Sequence, residues 1–182
     1  MRWRRRPVEP IDVLVVCTGN LCRSPIIAAL LGAELPHLRV ESAGTAAPQG
    51  ESWHPLAVDV LAERGLVVSG PAQRLRADQV RRSTLVITAE GAHRAECVRL
   101  DPSAEERAFT LLEVERLLLA APVEAVDVSG LVGELGDRLR VQRTEHDDDL
   151  PDPLQGDIED FRTCASVSAR ALTPLVAALR TT

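Results

Sequence analysis

The amino-acid sequence predicts an α/β fold in which a doubly wound, four-stranded parallel sheet carries helices on both faces. Segments with strand-like and helix-like patterns alternate along the chain, as they do in such folds. The first strand is a short, continuous, Val-rich run, Val13–Val16, typical of a strand buried on both faces. With 182 residues, the chain is long enough for one domain with a full core. We expect that domain to cover residues 11–182, after a basic, disordered tail at residues 1–10.

The other elements follow from hydrophobic spacing and from the Pro and Gly residues near their ends. Leu56, Val60 and Leu61 repeat at helical spacing, and Gly65 ends that helix. Pro174 should kink or end the long last helix. The predicted strands after the first are Leu38–Ser42, Thr84–Thr88 and Ala108–Leu111. The predicted helices are Ser24–Leu35, Pro55–Gly65, Ala77–Arg82, Glu90–Leu100, Leu111–Ala120, an amphipathic stretch within Pro122–Arg143 that is interrupted at Ser129–Gly130, and Asp157–Leu179.

A tight loop with the sequence C-T-G-N-L-C joins the first strand to the first helix and is followed by Arg23. Ser24 is a good helix cap, and Pro25 suits the first turn of a helix. Gly19 and Asn20 tolerate left-handed backbone conformations, so the loop can curl. A curled loop at a helix N-terminus is an anion site. Parallel α/β folds bind ligands at the carboxyl ends of their strands, where this loop lies.

Cys17, at the end of the first strand, brings a nucleophile to this anion site. The helix N-terminus, the loop N–H groups and Arg23 would all favour its thiolate, which is the reactive form. The same donors would bind a phosphoryl dianion, and the planar guanidinium can hold two phosphate oxygens at once. The loop therefore predicts covalent phosphoryl transfer through a cysteinyl-phosphate.

The motif Cys17-x5-Arg23-Ser24, within C-T-G-N-L-C-R-S-P, resembles the signature of bacterial low-molecular-weight protein tyrosine phosphatases. The run S-A-G-T at residues 42–45 is also similar to that family. The resemblance implies hydrolysis of aryl phosphate monoesters, with Ser24 donating a hydrogen bond to the nucleophile and Asn20 holding the loop. Its implied site consists of the catalytic Cys17 and Arg23, the phosphate-binding Thr18, Gly19, Asn20, Leu21, Cys22 and Ser24, and the supporting Ser42, Trp53 and Pro153.

An acidic stretch, Asp147–Pro153, precedes the last helix. Cleavage of an aryl phosphate releases a phenolate, whose conjugate acid has a pKa of about 10, so a general acid should protonate it. The resemblance implies that this acid lies in an Asp-Pro dipeptide just before the last helix, and Asp152 with Pro153 matches. The proline restricts Asp152 to extended conformations, which helps to orient its carboxyl group. Asp149 is the alternative acid.

Two of the implied site residues have a second interpretation. In some family members the second cysteine of C-x4-C traps the oxidised nucleophile as a reversible disulfide; Cys22 either does so or packs as a small residue under the loop. Trp53 either stacks on a phenyl phosphate or caps the next helix. The chain also departs from the family in three places. Leu154 replaces a frequent aromatic residue after Asp-Pro, a His that supports the loop Asn is missing near residues 69–71, and the segment after Pro122 is longer.

Three rival functions fit the loop less well. Protein-arginine phosphatases resemble this chain but usually have Thr at the position of Leu21, and the bulkier Leu suits an aryl ester. Thiol-dependent arsenate reductases tend to have Gln in place of Pro25 and need two further cysteines, whereas Cys97 and Cys164 lie far apart in sequence. A non-catalytic phosphate-binding module would be expected to lose one of the three catalytic residues, and all three are present.

Composition narrows the remaining classes. The net charge of −6 argues against nucleic acid as the main partner, and no apolar run is long enough to span a membrane. The four Cys residues are too few for a secreted disulfide framework, and a nucleophilic thiolate needs a reducing compartment, so we expect the cytoplasm. We expect no cofactor and no metal, because no Cys or His cluster has ligand spacing. The expected partner is a phosphotyrosine protein such as a bacterial tyrosine kinase, and the oligomeric state stays open.

Overall fold

A four-stranded parallel sheet forms the centre of the protein in the computed structural model, which describes residues 9–121, 123, 125, 127–141 and 147–180. The strand order is β2-β1-β3-β4, and every neighbouring pair is parallel. The predicted fold class is therefore confirmed. The strands are β1 (Ile11–Cys17), β2 (Val40–Gly44), β3 (Ser83–Thr88) and β4 (Ala108–Thr110).

Strand β1 lies inside the sheet, between β2 and β3. Val13 pairs with Val40 on one side and with Leu85 on the other. Val13–Val16 is completely buried, as its continuous apolar pattern predicts for a strand covered on both faces. After β1 the chain passes first to β2 on one side and then to β3 on the other. The carboxyl end of β1, which is Cys17, therefore lies at the topological switch point where such folds bind ligands.

Helices cover both faces of the sheet and complete two apolar cores. On one face Val13, Val15 and Ile87 pack with apolar residues of α1, α2, α5, α6 and α7. On the other face Leu14 and Val16 pack with residues of α3, α4 and a 3-10 helix at Pro102–Glu106. The helices are α1 (Arg23–Glu34), α2 (Pro55–Ala62), α3 (Ala77–Arg82), α4 (Gly91–Leu100), α5 (Leu111–Ala120), α6 (Val128–Val141) and α7 (Ile158–Leu179).

The start of α1 differs from the sequence prediction. The N-cap is Cys22, which makes no side-chain cap hydrogen bond, and Ser24 lies inside the first turn. The expectation that Ser24 caps the helix is therefore wrong, because its hydroxyl group is used by the loop instead. Of the two loop residues that tolerate left-handed backbone, Asn20 adopts it, with φ of 53°, and Gly19 does not.

Several predicted boundaries or breaks also differ, among them the end of α2, which lies at Ala62 and not at Gly65. Strand β2 lies two residues later than predicted, since it must extend to Gly44 to pair with Cys17. The predicted interruption at Ser129–Gly130 is wrong, because both residues lie in the first turn of α6, where the Asp127 side chain accepts a hydrogen bond from the Gly130 N–H. Pro174 does not end α7, which continues to Leu179.

Buried side chains on both sides of this proline, including Leu172 and Leu175, keep the last turns of α7 packed on the core. Residues 1–8 of the predicted tail lie outside the described residues, as do residues 122, 124, 126 and 142–143 of the predicted amphipathic stretch.

Candidate active site

The loop between β1 and α1 is held in its curled form by the side chain of Asn20. This residue is completely buried. Its Nδ2 donates hydrogen bonds of 2.9 Å to the hydroxyl groups of Ser24 and Ser42, and its Oδ1 accepts one of 2.8 Å from the backbone N–H of Gln73. The sequence lacks the His near residues 69–71 that supports the loop Asn in the family. In this protein the backbone amide of Gln73 supports Asn20.

Cys17 is buried at the bottom of the loop, with two hydrogen-bonding groups on its sulfur. The Ser24 hydroxyl oxygen lies 3.0 Å from Cys17 Sγ, and the Asn20 N–H donates to the same sulfur across 3.3 Å. The Ser24 oxygen accepts from Asn20, and its hydrogen has two acceptors within reach, Cys17 Sγ and, at 3.3 Å, the Ala43 carbonyl. These groups hold the sulfur in place at the bottom of the loop, and the thiolate is the form that attacks.

Gly44, at the end of β2, and the two residues after it fix the first residues of the loop from the side. The N–H of Thr45 donates to the Cys17 carbonyl and the N–H of Ala46 to the Thr18 carbonyl, both at 2.9 Å. Gly44 packs so closely on the loop backbone that a Cβ built there would lie 2.5 Å from the Thr18 carbonyl oxygen and 2.7 Å from the Asn20 nitrogen. The S-A-G-T run is therefore structural support for the loop.

Arg23 connects the loop with two carboxylates. Its side chain is almost fully buried, and its Nη1 donates to Glu90 and, at 3.0 Å, to the Leu150 carbonyl. Its Nη2 donates to Asp152 Oδ2 across 2.6 Å. Burial alone would lower the pKa of Arg23, but the neighbouring carboxylates of Glu90 and Asp152 more than offset burial and hold that pKa above its ordinary value. The guanidinium is therefore permanently charged at the edge of the site.

The acidic stretch before α7 is held by contacts with α4, with α5 and with the residue that follows β3. Asp149 accepts a 2.7 Å hydrogen bond from the N–H of Gly91, and Asp148 pairs with Arg116 at 2.8 Å. The Leu150 N–H donates to the Ala89 carbonyl, also across 2.7 Å. Asp149, the alternative acid, thus binds the start of α4.

Asp152, the preferred acid, reaches Arg23 and stays partly open to solvent, with 40% of its side chain exposed. Its second carboxylate oxygen, Oδ1, accepts from the N–H of Leu154, two residues beyond it and just past Pro153. This local hydrogen bond adds to the restriction that Pro153 places on the backbone of Asp152.

The second loop cysteine is packed among apolar neighbours. Cys22 is buried, and burial, helped by the nearby Asp152 carboxylate, raises the pKa of its thiol to about 12. Burial likewise raises the pKa of Cys164, on α7, to about 11. A thiol with such a pKa stays protonated at neutral pH, so it attacks an oxidised partner slowly. This favours the packing interpretation of Cys22, and its redox role stays a prediction.

Trp53 lies beside the loop support. Its backbone N–H donates to the Gly70 carbonyl, and its ring packs against Gly70 in a groove lined by α1, β2 and residues 68–79. The interpretation of Trp53 as a helix cap is wrong, because α2 is capped by His54 Nδ1, which accepts from the Leu56 N–H. Stacking of Trp53 on a substrate ring stays a prediction.

The comparison with known proteins decides the family. A family model described as "Low molecular weight phosphotyrosine protein phosphatase" matches residues 12–128, which hold the loop, β2, Glu90 and the sheet. The chain belongs to this family. Its C-x5-R loop after β1 fits the family, whose members are hydrolases that act as protein phosphatases. The recognition of the family from the loop motif is therefore confirmed.

Two relatives in this phosphatase family differ in their named activity. The low molecular weight protein-tyrosine-phosphatase Etp of Escherichia coli is 41% identical over 105 residues, which are 56% of this chain and 68% of Etp. A protein-arginine-phosphatase of Geobacillus stearothermophilus is 32% identical over 154 residues, 84% of this chain and 85% of that protein. Among solved structures, the Erwinia amylovora tyrosine phosphatase AmsI superposes with a TM-score of 0.72 at 26% identity, with 97% of each chain covered.

Four residues of this phosphatase site escaped the sequence analysis: Glu90, His93, Gln73 and His54. Glu90 could have been found, because it follows β3 and the carboxyl ends of parallel strands meet at one edge of the sheet. His93 comes one helical turn after it and contacts the loop residue Thr18. Gln73 acts through its backbone N–H, which almost every residue type has, so the sequence does not indicate this role. His54 joins the loop to α7, since its backbone N–H donates to the Leu21 carbonyl and its ring stacks on Phe161 at 4.8 Å.

The described part of the chain brings no group of three His, Cys, Asp or Glu side chains into an arrangement suited to a metal ion. Among the same residues, none of the helices has the length and apolar character needed to cross a membrane.

Proposed function

We propose that this phosphatase hydrolyses phosphotyrosine on proteins through a cysteinyl-phosphate on Cys17. The sulfur attacks phosphorus and the bond to the phenolic oxygen breaks, while Asp152, in its acid form, gives its proton to that oxygen. The Asp152 carboxylate then takes a proton from water, the water oxygen attacks phosphorus, and the S–P bond breaks. Inorganic phosphate leaves, and Cys17 returns to the thiolate.

The observation that carries this proposal is the contact between Arg23 and Asp152. Residues 129 positions apart in sequence meet across 2.6 Å, at a loop whose centre holds Cys17. A phosphoryl group bound in the loop would compete with Asp152 for the guanidinium, whose fork suits two phosphate oxygens. Displaced from Arg23, the Asp152 carboxyl group would be free to face the leaving oxygen. The loop N–H groups would bind the remaining oxygens as charge develops.

Leu21 supports tyrosine over arginine as the phosphorylated residue. Its side chain is partly buried against the apolar core and lies beside Gly19, where an added Cβ would be 3.4 Å from Leu21 Cγ. It therefore occupies space on the loop that a Thr would leave open. A bulky apolar side chain suits contact with a phenyl ring, whereas a guanidinium needs polar partners. The relatives of this chain carry both activities, and a comparison of substrates distinguishes them.

The decisive experiment compares three substrates with one enzyme. Purified protein should hydrolyse p-nitrophenyl phosphate and a phosphotyrosine peptide, and a phosphoarginine peptide much more slowly. Cys17→Ser should abolish turnover while phosphate binding survives. Leu21→Thr should raise the ratio of phosphoarginine to phosphotyrosine turnover. If the wild type prefers phosphoarginine, the substrate proposal is wrong; if Cys17→Ser keeps turnover within about tenfold of the wild type, the covalent mechanism is wrong.

The cellular partner and compartment belong to the same proposal. A thiolate nucleophile needs reducing surroundings, which supports the cytoplasm. A phosphotyrosine protein, for example a bacterial tyrosine kinase, is the proposed substrate. Cys17→Ser offers a way to find it, because a variant that binds but does not turn over retains its phosphoprotein from a lysate. Competition by free phosphotyrosine distinguishes capture at the site from nonspecific binding.

A further inference from the structure

His93 connects α4 with the first residue of the phosphate loop. It lies three residues after Glu90, on the same side of the helix start, and only 4% of the residue is exposed. His93 Nε2 is 2.8 Å from Thr18 Oγ1, while Glu90 pairs with Arg23. Thr18 follows the nucleophile directly, and Arg23 ends the loop. The first turn of α4 therefore contacts the C-x5-R loop at both of its ends.

The hydrogen-bond direction between His93 and Thr18 follows from what surrounds the imidazole. His93 Nδ1 is buried without a hydrogen-bond partner among the described residues. Leaving a bare nitrogen there is less costly than burying an unpaired N–H. The Nε2 atom also faces Glu90 Oε2 at 3.9 Å. We therefore assign the hydrogen to Nε2, which donates to Thr18 Oγ1 and leaves the Thr18 O–H free to donate at the exposed mouth of the loop.

The charges around His93 favour a neutral ring. Burial lowers the pKa of His93 below its ordinary value, and Arg23 acts in the same direction. The carboxylates of Glu90, on the same helix, and of Asp149 and Asp152, on the acidic stretch, oppose this effect without overcoming it. At neutral pH the ring therefore has one hydrogen, and the assignment of that hydrogen fixes what the Thr18 hydroxyl can do.

We propose that His93 is a positioning residue, whose Nε2–H holds the Thr18 hydroxyl and with it the start of the phosphate loop in the binding geometry. The inference rests on the proposed function, in which this loop binds the phosphoryl group. The carbonyl of Thr18 is fixed by the N–H of Ala46, just after β2, and its side chain is fixed by α4. Without His93 the hydroxyl could rotate, and the residue next to the nucleophile would keep only its backbone restraint.

The test removes and restores the Nε2–H donor. His93→Leu should lower kcat/KM for p-nitrophenyl phosphate roughly tenfold, which is the upper range for loss of one net hydrogen bond. His93→Gln has an amide donor of similar reach and should recover activity to within about threefold. Thr18→Val should lose at least as much as His93→Leu. His37→Gln, at an exposed His on the surface, is the matched control and should equal the wild type.

A double-mutant cycle separates positioning from general stability. If His93 acts through the Thr18 hydroxyl, His93→Leu should cost nothing further in the Thr18→Val background. Equal losses in both backgrounds, or a His93→Leu variant within about twofold of the wild type, would overturn the inference. Thermal unfolding checks that the variants fold, and Thr18→Val, at an exposed position, keeps the test available if His93→Leu does not fold.

The same comparison can be made without turnover. Binding of inorganic phosphate, measured by calorimetry, should weaken in His93→Leu and recover in His93→Gln. If the wild type binds phosphate but hydrolyses none of the substrates, the proposed function is wrong. The phosphate affinities of the His93 variants would still test the positioning role of His93. Unchanged phosphate affinity in His93→Leu would count against the role of His93 whatever the activity.

Discussion

Gly44→Ala should inactivate the enzyme, although Gly44 does not line the phosphate site. The added Cβ would lie 2.5 Å from the Thr18 carbonyl oxygen, 2.7 Å from the Asn20 nitrogen and 2.9 Å from the Gly19 carbonyl carbon. All three atoms are backbone atoms of the loop, so no flexible side chain can move aside. Carbon–oxygen contacts in proteins normally lie at about 3.3 Å or more, so β2 and the loop must separate by roughly 1 Å.

The loss can be estimated from this displacement. Gly44 also pairs with Cys17, accepts from Leu75 and donates to Gln73, so β2 is held in place from the other side. The loop is therefore the part that must shift. A misplacement of about 1 Å at a reacting centre costs on the order of 10²-fold in rate, and we expect that loss in kcat/KM.

The assay is steady-state hydrolysis of p-nitrophenyl phosphate together with thermal unfolding. Gly32→Ala is the matched control, because nothing lies within 4 Å of a Cβ at this position inside α1. It should keep full activity and gain about 0.5–1 kcal/mol of stability from the better helix former. A folded Gly44→Ala enzyme with kcat/KM within about threefold of the wild type would refute the reasoning, since β2 would then not be setting the loop position.

Three further predictions address the acid, the loop and the thiols. Asp152→Ala should slow phosphotyrosine turnover by on the order of 10²- to 10⁴-fold. It should slow the turnover of p-nitrophenyl phosphate less, because a nitrophenol leaves without a proton. Asp149→Ala, which loses only the contact to α4, should affect both substrates equally. Asn20→Ala should lower the free energy of unfolding by roughly 2–4 kcal/mol, because the Gln73 N–H loses its partner and a left-handed backbone is strained; Asn20→Gly, which relieves only the strain, should fall in between. The free energy of unfolding should also fall above pH 9. Burial raises the pKa of Cys97 to about 12, so this thiol keeps its proton in the folded protein at a pH where the unfolded chain has released it.

The predicted loss of stability at alkaline pH can be assigned to thiols, because the chain has neither Lys nor Tyr and few other groups titrate between pH 8 and 11. The three thiols whose pKa burial raises, Cys22, Cys97 and Cys164, should each contribute a slope of about 1.4 kcal/mol per pH unit to the free energy of unfolding. Denaturant unfolding of the wild type and Cys97→Ala between pH 8.5 and 10 measures it, and identical slopes would contradict the assignment. For Asp152, equal losses on both substrates would mean that another group supplies the proton. For Asn20, unchanged stability in both variants would show that its contacts contribute nothing net.

The sequence could predict the parts of the site that are local. Strand, loop and helix around Cys17 follow from a Val-rich run, turn-forming residues and Pro25, and all are contiguous. Asp152 was predictable only through the resemblance, because nothing in an acidic stretch says which carboxylate reaches Arg23. The role of Ser24 illustrates the limit of local patterns: Ser before Pro is a typical cap, yet tertiary contacts with Cys17 and Asn20 take its hydroxyl group.

The parts that could not be predicted depend on contacts between distant elements. His93 and Thr18 are 75 residues apart and meet because β1 and β3 are neighbours in the sheet. Gln73 acts through a backbone amide, so its side chain gives no signal. Pro174 does not end α7, one of the two predicted outcomes, because the cost of one missing N–H was smaller than the gain from packing the last turns of α7 on the core; the predicted kink stays a prediction.

The interior position of β1 has a consequence for how the protein opens. Backbone amides of a strand paired on both sides and covered on both faces exchange their hydrogens with solvent only when the whole domain unfolds. The nucleophile is attached to the end of that strand, whereas α6 lies at the periphery and exposes 84% of Val141 at its end. Partial openings of the peripheral helix should therefore leave the phosphate loop intact. Activity in mild denaturant should then persist until the final, cooperative loss of the sheet.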